Sequence, residues 1–282
     1  MEPLDHLRHL LNPLQDDGSF VMYYSGVPNS APRHHCIGAA TSKTITGPYQ
    51  PLQTPFACPD IHTRGGAIDP DGFLDRLTGK RYVAYKDDGN SIGHGGVCKN
   101  TKVPIVPTPI LLQEVDRSDG LTLIGDAKEI LDREDVDGPL IEAPSLHLTD
   151  ENIYFLFYSS HCYTTSKYNT LYATATNIWG PYTRSQEPLF QSGDGPKLLG
   201  PGGTDIIKGG NMIVFHGHLN MKNIEGDLYR GRKSTASDET DKGASSSLAK
   251  TLNSRLVRGM YSAMATFSGR SVNLSGPIPG SR

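Results

Sequence analysis

Two acids in this chain stand where charge is unexpected. Asp69 lies in "AIDPDG" and Glu142 in "GPLIEAPSLH", runs otherwise made of apolar, small or turn-forming residues. Two carboxyl groups brought into one pit among Ile68, Pro70, Ile141, Ala143 and Pro144 would be partly desolvated and would repel each other when both ionised. One of them is then expected to keep its proton near neutral pH. That is the requirement for a general acid that protonates a leaving sugar oxygen while a second carboxylate handles water on the opposite face. The competing structural reading is that each acid satisfies backbone N–H groups in a tight turn. It is credible for Asp69, which is followed by proline and Asp-Gly. It is weaker for Glu142, because glutamate makes poor turns of this kind and an unsatisfied buried carboxylate is costly.

Acids can meet only if the elements carrying them repeat. Four short runs have strand composition, "SFVMYYS" (19–25), "KRYVAYK" (80–86), "NIYFLFYSS" (152–160) and "NMIVFHGH" (211–218), and from Met22 to Val83, Tyr154 and Ile213 they recur after 61, 71 and 59 residues. The last three runs are each preceded by a segment pairing an acid with glycine or proline, "AIDPDG", "LIEAPS" and "GPGGTD". "TGPYQPLQTPF" (46–56) is answered 133 residues later, two periods on, by "WGPYTRSQEPLF" (179–190). A repeat of this length, supplying several antiparallel strands each time, reads as propeller blades rather than a sandwich. The fold class is therefore all-β, a β-propeller with about four blades in this chain, as a single domain over 1–282. In such a ring the first strand of each blade lines the central channel. Asp69 and Glu142, 14 and 12 residues before Val83 and Tyr154, are read as equivalent channel positions.

Other segments are less regular. Residues 1–18 form an atypical N-terminus, with one short helix expected at 4–11. Residues 230–250, "RGRKSTASDETDKGASSSLAK", are polar and expected to be a disordered loop. After it, "GMYSAMATFSGRSVNL" resumes strand-like alternation and is expected to supply closing strands.

Composition narrows the partners. Lysine plus arginine number 27 against 30 acids in 282 residues, with no long basic block, which argues against nucleic acid. No membrane span and no signal peptide are visible, and the reading is of a monomer. The four cysteines, Cys36, Cys58, Cys98 and Cys162, form no C-x-x-C pair of the kind that holds zinc. Buried free thiols are favoured over disulfides, although the even count keeps a secreted origin open.

At this point "AIDPDGFLD", "LIEAPSLH" and the two "GPY" segments resemble glycoside hydrolase family 43, over about Phe20 to Leu219 with a looser echo near Met260-Tyr261. The resemblance implies a five-bladed propeller, secreted, acting with inversion on arabinose- and xylose-containing plant polysaccharides as an α-L-arabinofuranosidase or β-xylosidase. It makes Glu142 the general acid and Asp69 the carboxylate that tunes and orients it, and it places Phe73 beside the sugar. It requires no cofactor, though a structural calcium in the channel fits the pattern.

Two features depart from that family. Its "GPGH" is Gly200-Pro201-Gly202-Gly203 here, so the histidine is absent, and His216 or His218 in "FHGH" is the only nearby replacement, each more readily a core or surface histidine. The family's base, an aspartate on the first blade, also has no counterpart. "DHLRHLLNPLQ" lacks the expected motif, Asp5 sits in no blade-opening strand, and Asp60 is a poor substitute because it leads into the same blade as Asp69. The expectation is a chain lacking one blade, truncated and impaired in activity. The alternative is a propeller that binds carbohydrate without cleaving it.

Overall fold

The computed structural model describes residues 18–194, 198–207, 211–218 and 258–275. The expected short helix at 4–11 and the polar loop at 230–250 lie outside them.

Among the described residues fifteen strands form four antiparallel sheets. Sheet 1 contains β1 (Phe20–Gly26), β2 (Cys36–Ser42) and β3 (Gln50–Pro51). Sheet 2 runs β4 (Ala67–Leu74), β5 (Arg81–Asp87), β6 (Ile110–Val115), β7 (Leu123–Leu131). Sheet 3 runs β8 (Ile141–Leu148), β9 (Tyr154–Ser160), β10 (Asn169–Ala175), β11 (Thr183–Arg184). Sheet 4 runs β12 (Gly202–Ile206), β13 (Met212–His218), β14 (Arg258–Ser268), β15 (Ser271–Ser275). Each sheet is a meander in chain order, and the inner strands of neighbouring sheets meet, β4 with β8 and β8 with β12. This is the propeller arrangement with four blades that the repeat predicts. The strands after the polar loop, expected to close the ring, form the outer half of sheet 4.

The four apolar runs become β1, β5, β9 and β13. β1 touches β4 just as β5 touches β8 and β9 touches β12, so β1 holds the second place in its sheet. Among the described residues sheet 1 has no strand inside it. The apolar patterns follow from what each sheet faces. Every residue of β5 and of β9 is buried, because sheets 2 and 3 have neighbours on both faces. β1 and β14 alternate instead, with Val21 and Tyr23 or Tyr261, Ala263 and Ala265 packed inward while Met22 is only partly covered and Met260 is 85% exposed.

Three apolar cores fill the three seams between sheets. Val21, Tyr23 and Ile37 meet Val83 and Tyr85 in the first; Tyr82, Ala84 and Leu112 meet Leu146, Leu156 and Tyr158 in the second; Phe155 and Phe157 meet Phe215 and Tyr261 in the third.

The cysteines overturn the sequence expectation of free thiols. Cys36 is bonded to Cys58, and Cys98 to Cys162. Sequence spacing hides the second pair because its members sit on different sheets. Cys98 follows β5 and Cys162 follows β9, so the bond joins the loops of sheets 2 and 3 across their seam.

Candidate active site

The inner strands share one irregularity. In β4 the register slips between Ile68 and Asp71, in β8 between Glu142 and Ser145, and in β12 between Gly202 and Asp205. Each slip is a bulge of two residues facing one aromatic on the second strand, Tyr85, Tyr158 or Phe215. The first bulge residue adopts a left-handed backbone in every case, with φ of 56° at Asp69, 53° at Ala143 and 59° at Gly203. Two of these are not glycine, and such strain collects at functional sites.

The bulges correct the sequence alignment. Pro70 and Pro144 occupy the same place, so Asp69 is equivalent to Ala143 and Glu142 to Ile68 and Gly202. Asp69 and Glu142 are one position out of register, and they still converge on the seam between sheets 2 and 3. The N–H of Ala143 donates to Asp69 Oδ2 at 3.0 Å, tying Asp69 to the residue beside Glu142. The turn-acid reading of Asp69 is thus satisfied in a modified form, since its carboxylate accepts a backbone N–H from the next sheet.

Glu142 is held by two groups that sequence reasoning missed. The Tyr168 hydroxyl donates to Oε1 at 2.6 Å, and the Lys86 ammonium lies 3.4 Å from Oε2. Lys86 is fully buried and also donates to Asp88 Oδ1 at 3.3 Å and Asn90 Oδ1 at 2.6 Å. Burial acts to lower the pKa of this ammonium, but Asp88, Glu142 and Asp69 together hold it above the usual lysine value. Burial likewise pushes the Asp88 carboxyl up, and Lys86 with His35, whose ring is 3.9 Å away, outweighs this and holds it below the usual range. The sequence-based picture of two repelling acids therefore gains a buried positive charge between them.

A repeat position explains why Lys86 stands out. Ser25, Lys86, Ser159 and His216 each follow the aromatic residue of the second strand. Ser25 Oγ accepts the N–H of Asp69 at 3.0 Å, and Ser159 Oγ accepts that of Gly203 at 2.9 Å. In two seams, then, a neutral hydroxyl satisfies the bulge N–H. In the middle seam the serine is replaced by Lys86, and Asp69 serves the N–H instead.

Deeper in the channel, Ser145 donates to Asp205 Oδ1 at 2.9 Å, and Asp71 Oδ2 accepts the N–H of Leu146 at 3.0 Å. Burial raises the Asp71 carboxyl well above its ordinary pKa, and repulsion from Asp205 adds to this. The two acids form a pair only. Among the described residues no group of three or more His, Cys, Asp or Glu side chains could hold a metal ion.

The remaining expected residues fall elsewhere. Phe73 pairs with Tyr82 and packs edge-on to Tyr154 at 6.4 Å in the core of the middle seam, well down β5 from Lys86. Four residues of strand separate it from Asp69, and the contacts it makes are packing contacts. Asp60 lies in an exposed turn, where Oδ1 accepts from the N–H groups of His62 and Thr63 and from the Thr63 hydroxyl. These bonds hold its carboxyl below the usual range, the opposite of what a base near neutrality needs. His216 stacks on Tyr168 at 6.1 Å, beside the site, whereas His218 is buried against the Tyr163 carbonyl at 2.8 Å. Gly202 and Gly203 make room for these rings. A Cβ on Gly202 would come within 2.1 Å of the Tyr168 ring, and one on Gly203 within 2.9 Å of His216. Asp5 is outside the described residues.

The model of the family described as glycosyl hydrolases family 43 matches residues 14–238. Among solved structures, a thermostable family-43 glycoside hydrolase is similar at 24% identity, with a TM-score of 0.68 over 96% of this chain and 76% of that one. An endo-1,4-beta-xylanase from Bacteroides thetaiotaomicron gives 20% identity and 0.64 over 96% and 75%. An alpha-L-arabinofuranosidase from Lactobacillus brevis gives 17% and 0.61 over 95% and 75%. At such identities the likeness establishes the fold. A comparison with curated proteins gave no match.

Proposed function

The chain belongs to the glycosyl hydrolases of family 43, and we propose that it hydrolyses arabinose- or xylose-containing plant polysaccharides with inversion, Glu142 serving as general acid. Asp69 orients the strand that carries Glu142 and tunes its proton affinity. The observation that supports this reading is the contrast between seams. Serine hydroxyls do the structural work at two of them, and taking several charges out of water where a hydroxyl suffices is costly. Buried charge around Glu142 therefore has a reason other than holding the sheets together.

In the proposed step Glu142 gives its proton to the leaving oxygen, and water attacks the opposite face of the sugar. The two disulfides support an oxidising, extracellular setting. The test is hydrolysis of aryl α-L-arabinofuranosides and aryl β-D-xylosides by the chain and by Glu142→Gln. The expected loss is on the order of 10²- to 10⁴-fold, and full activity in the Gln variant would sink the reading.

One observation favours a second reading. Asp60, the substitute base, is committed to its turn, which fits a propeller that binds sugar without cleaving it. Calorimetry with arabino- and xylo-oligosaccharides decides for it if heat is evolved while hydrolysis is nil.

A further inference from the structure

Lys86 is the one member of its repeat position that is charged and wholly buried, and its ammonium reaches three groups in two segments. Asp88 and Asn90 belong to the short 3₁₀ turn that follows β5, and Glu142 lies on β8 of the next sheet. Other titratable groups facing this cluster are Asp69 on β4, His35 in the loop before β2, and Tyr168 before β10. Glu142 thus has its two oxygens assigned to different partners, a hydroxyl on Oε1 and a cation near Oε2. Both interactions are stronger with a carboxylate than with a carboxylic acid.

We propose that Lys86 is a positioning residue that makes Glu142 a readier proton donor by stabilising the carboxylate that remains after transfer. The inference rests on the reading of Glu142 as general acid. In the step, the O–H bond of Glu142 breaks and its electron pair stays on the carboxylate. The proton joins the glycosidic oxygen, which also receives the electron pair of the breaking bond to the anomeric carbon. Water adds to that carbon and releases a proton to solvent. Lys86 opposes Asp69, whose negative charge favours the protonated form, so the two residues set the acid from opposite directions. Tyr168 acts in the same sense as Lys86 with a smaller effect, being neutral.

Lys86→Ser is the natural test, because serine holds the equivalent position in sheets 1 and 3. The carboxylic acid band of Glu142 is followed by infrared difference spectroscopy as a function of pH, assigned by its loss in Glu142→Gln. In Lys86→Ser the midpoint of that band is expected to move to higher pH by about one unit or more, a tenfold change in acid dissociation. Lys86→Arg is expected to restore it, and Tyr168→Phe to move it the same way by less. In the enzyme assay the basic limb of the kcat/KM profile moves up with the band. Should Lys86→Ser not fold, Lys86→Gln carries the same expectation. An unchanged midpoint in a folded, uncharged variant overturns the proposal. Absence of hydrolysis in every variant, with the band shifting as expected, would instead remove the glycosidase reading and leave the pairing of Lys86 with Glu142 standing.

Discussion

The seam between sheets 2 and 3 and the seam between sheets 3 and 4 are built on one plan and satisfied by different chemistry. Both have a two-residue bulge where the inner strand pairs with the second strand of its own sheet, and that inner strand packs beside the second strand of the preceding sheet. Between sheets 3 and 4 the polar contacts are mostly neutral and short, Ser159 to the Gly203 N–H at 2.9 Å and Thr170 to Thr204 at 2.9 Å, with Ser145 on Asp205. Between sheets 2 and 3 the same places hold Asp69, Lys86 and Glu142. Hydrogen bonding between sheets does not require ions, so the charges of the middle seam exceed what joining two sheets needs.

The largest expected effect comes from making the middle seam neutral. The quadruple variant Asp69→Ser, Lys86→Ser, Asp88→Asn, Glu142→Gln, which also removes the carboxylate that Lys86 pairs with, is expected to lose all hydrolysis while urea unfolding shows unchanged stability or a gain of about 1–4 kcal/mol, as when buried ion pairs are replaced by neutral groups. A loss of several kcal/mol would mean that the charges are structural and the comparison fails. Next come the disulfides. Cys98–Cys162 closes 64 residues across the middle seam and Cys36–Cys58 closes 22. Removing a native bridge costs about 2–5 kcal/mol, and the cross-seam bond, closing the longer loop, is expected to be the more costly in urea unfolding of the two double Ser variants.

Ser159→Ala sharpens the comparison from the other side. It leaves the Gly203 N–H without its acceptor and is expected to cost about 1–3 kcal/mol in the same unfolding measurement, with little change in the titration of Glu142. The smallest effect is one of pH. Burial, opposed by Arg64 at 2.5 Å, holds the Asp87 carboxyl up to about 6, against 3.8 for a free aspartate. Its protonated form suits the fold, so this contribution to stability is complete below about pH 4 and is lost as pH rises through 6. Asp87→Asn should therefore flatten the dependence of thermal unfolding on pH between these values, and an unaltered slope would contradict it.

Much of this was legible in the chain, and the reasons are specific. The repeat was readable because β5 and β9 are covered on both faces and carry nearly continuous apolar runs. Glu142 and Asp69 were readable because carboxylates are conspicuous in such surroundings. Their register was misjudged by one residue, since counting along the chain cannot tell which residues a bulge consumes. Lys86 was hidden for a different reason. "KRYVAYK" begins and ends with lysine, and nothing local distinguishes them. Lys80 is half-exposed and pairs with Glu114 at 3.0 Å on the same sheet, whereas Lys86 is wholly buried against the next sheet.

The sequence by itself therefore determined the all-β repeat and its four apolar second strands, and it marked two acids set among apolar residues, because composition and spacing record which residues can be buried. The tertiary structure alone decided that Cys98 meets Cys162, that Phe73 packs against Tyr154, and that Lys86 and Tyr168 close on Glu142. Three of those contacts cross the seam between sheets 2 and 3, where residues 56 to 81 positions apart become neighbours, and the Tyr168 contact spans 26 residues across sheet 3. Neither periodicity nor local spacing carries that distance.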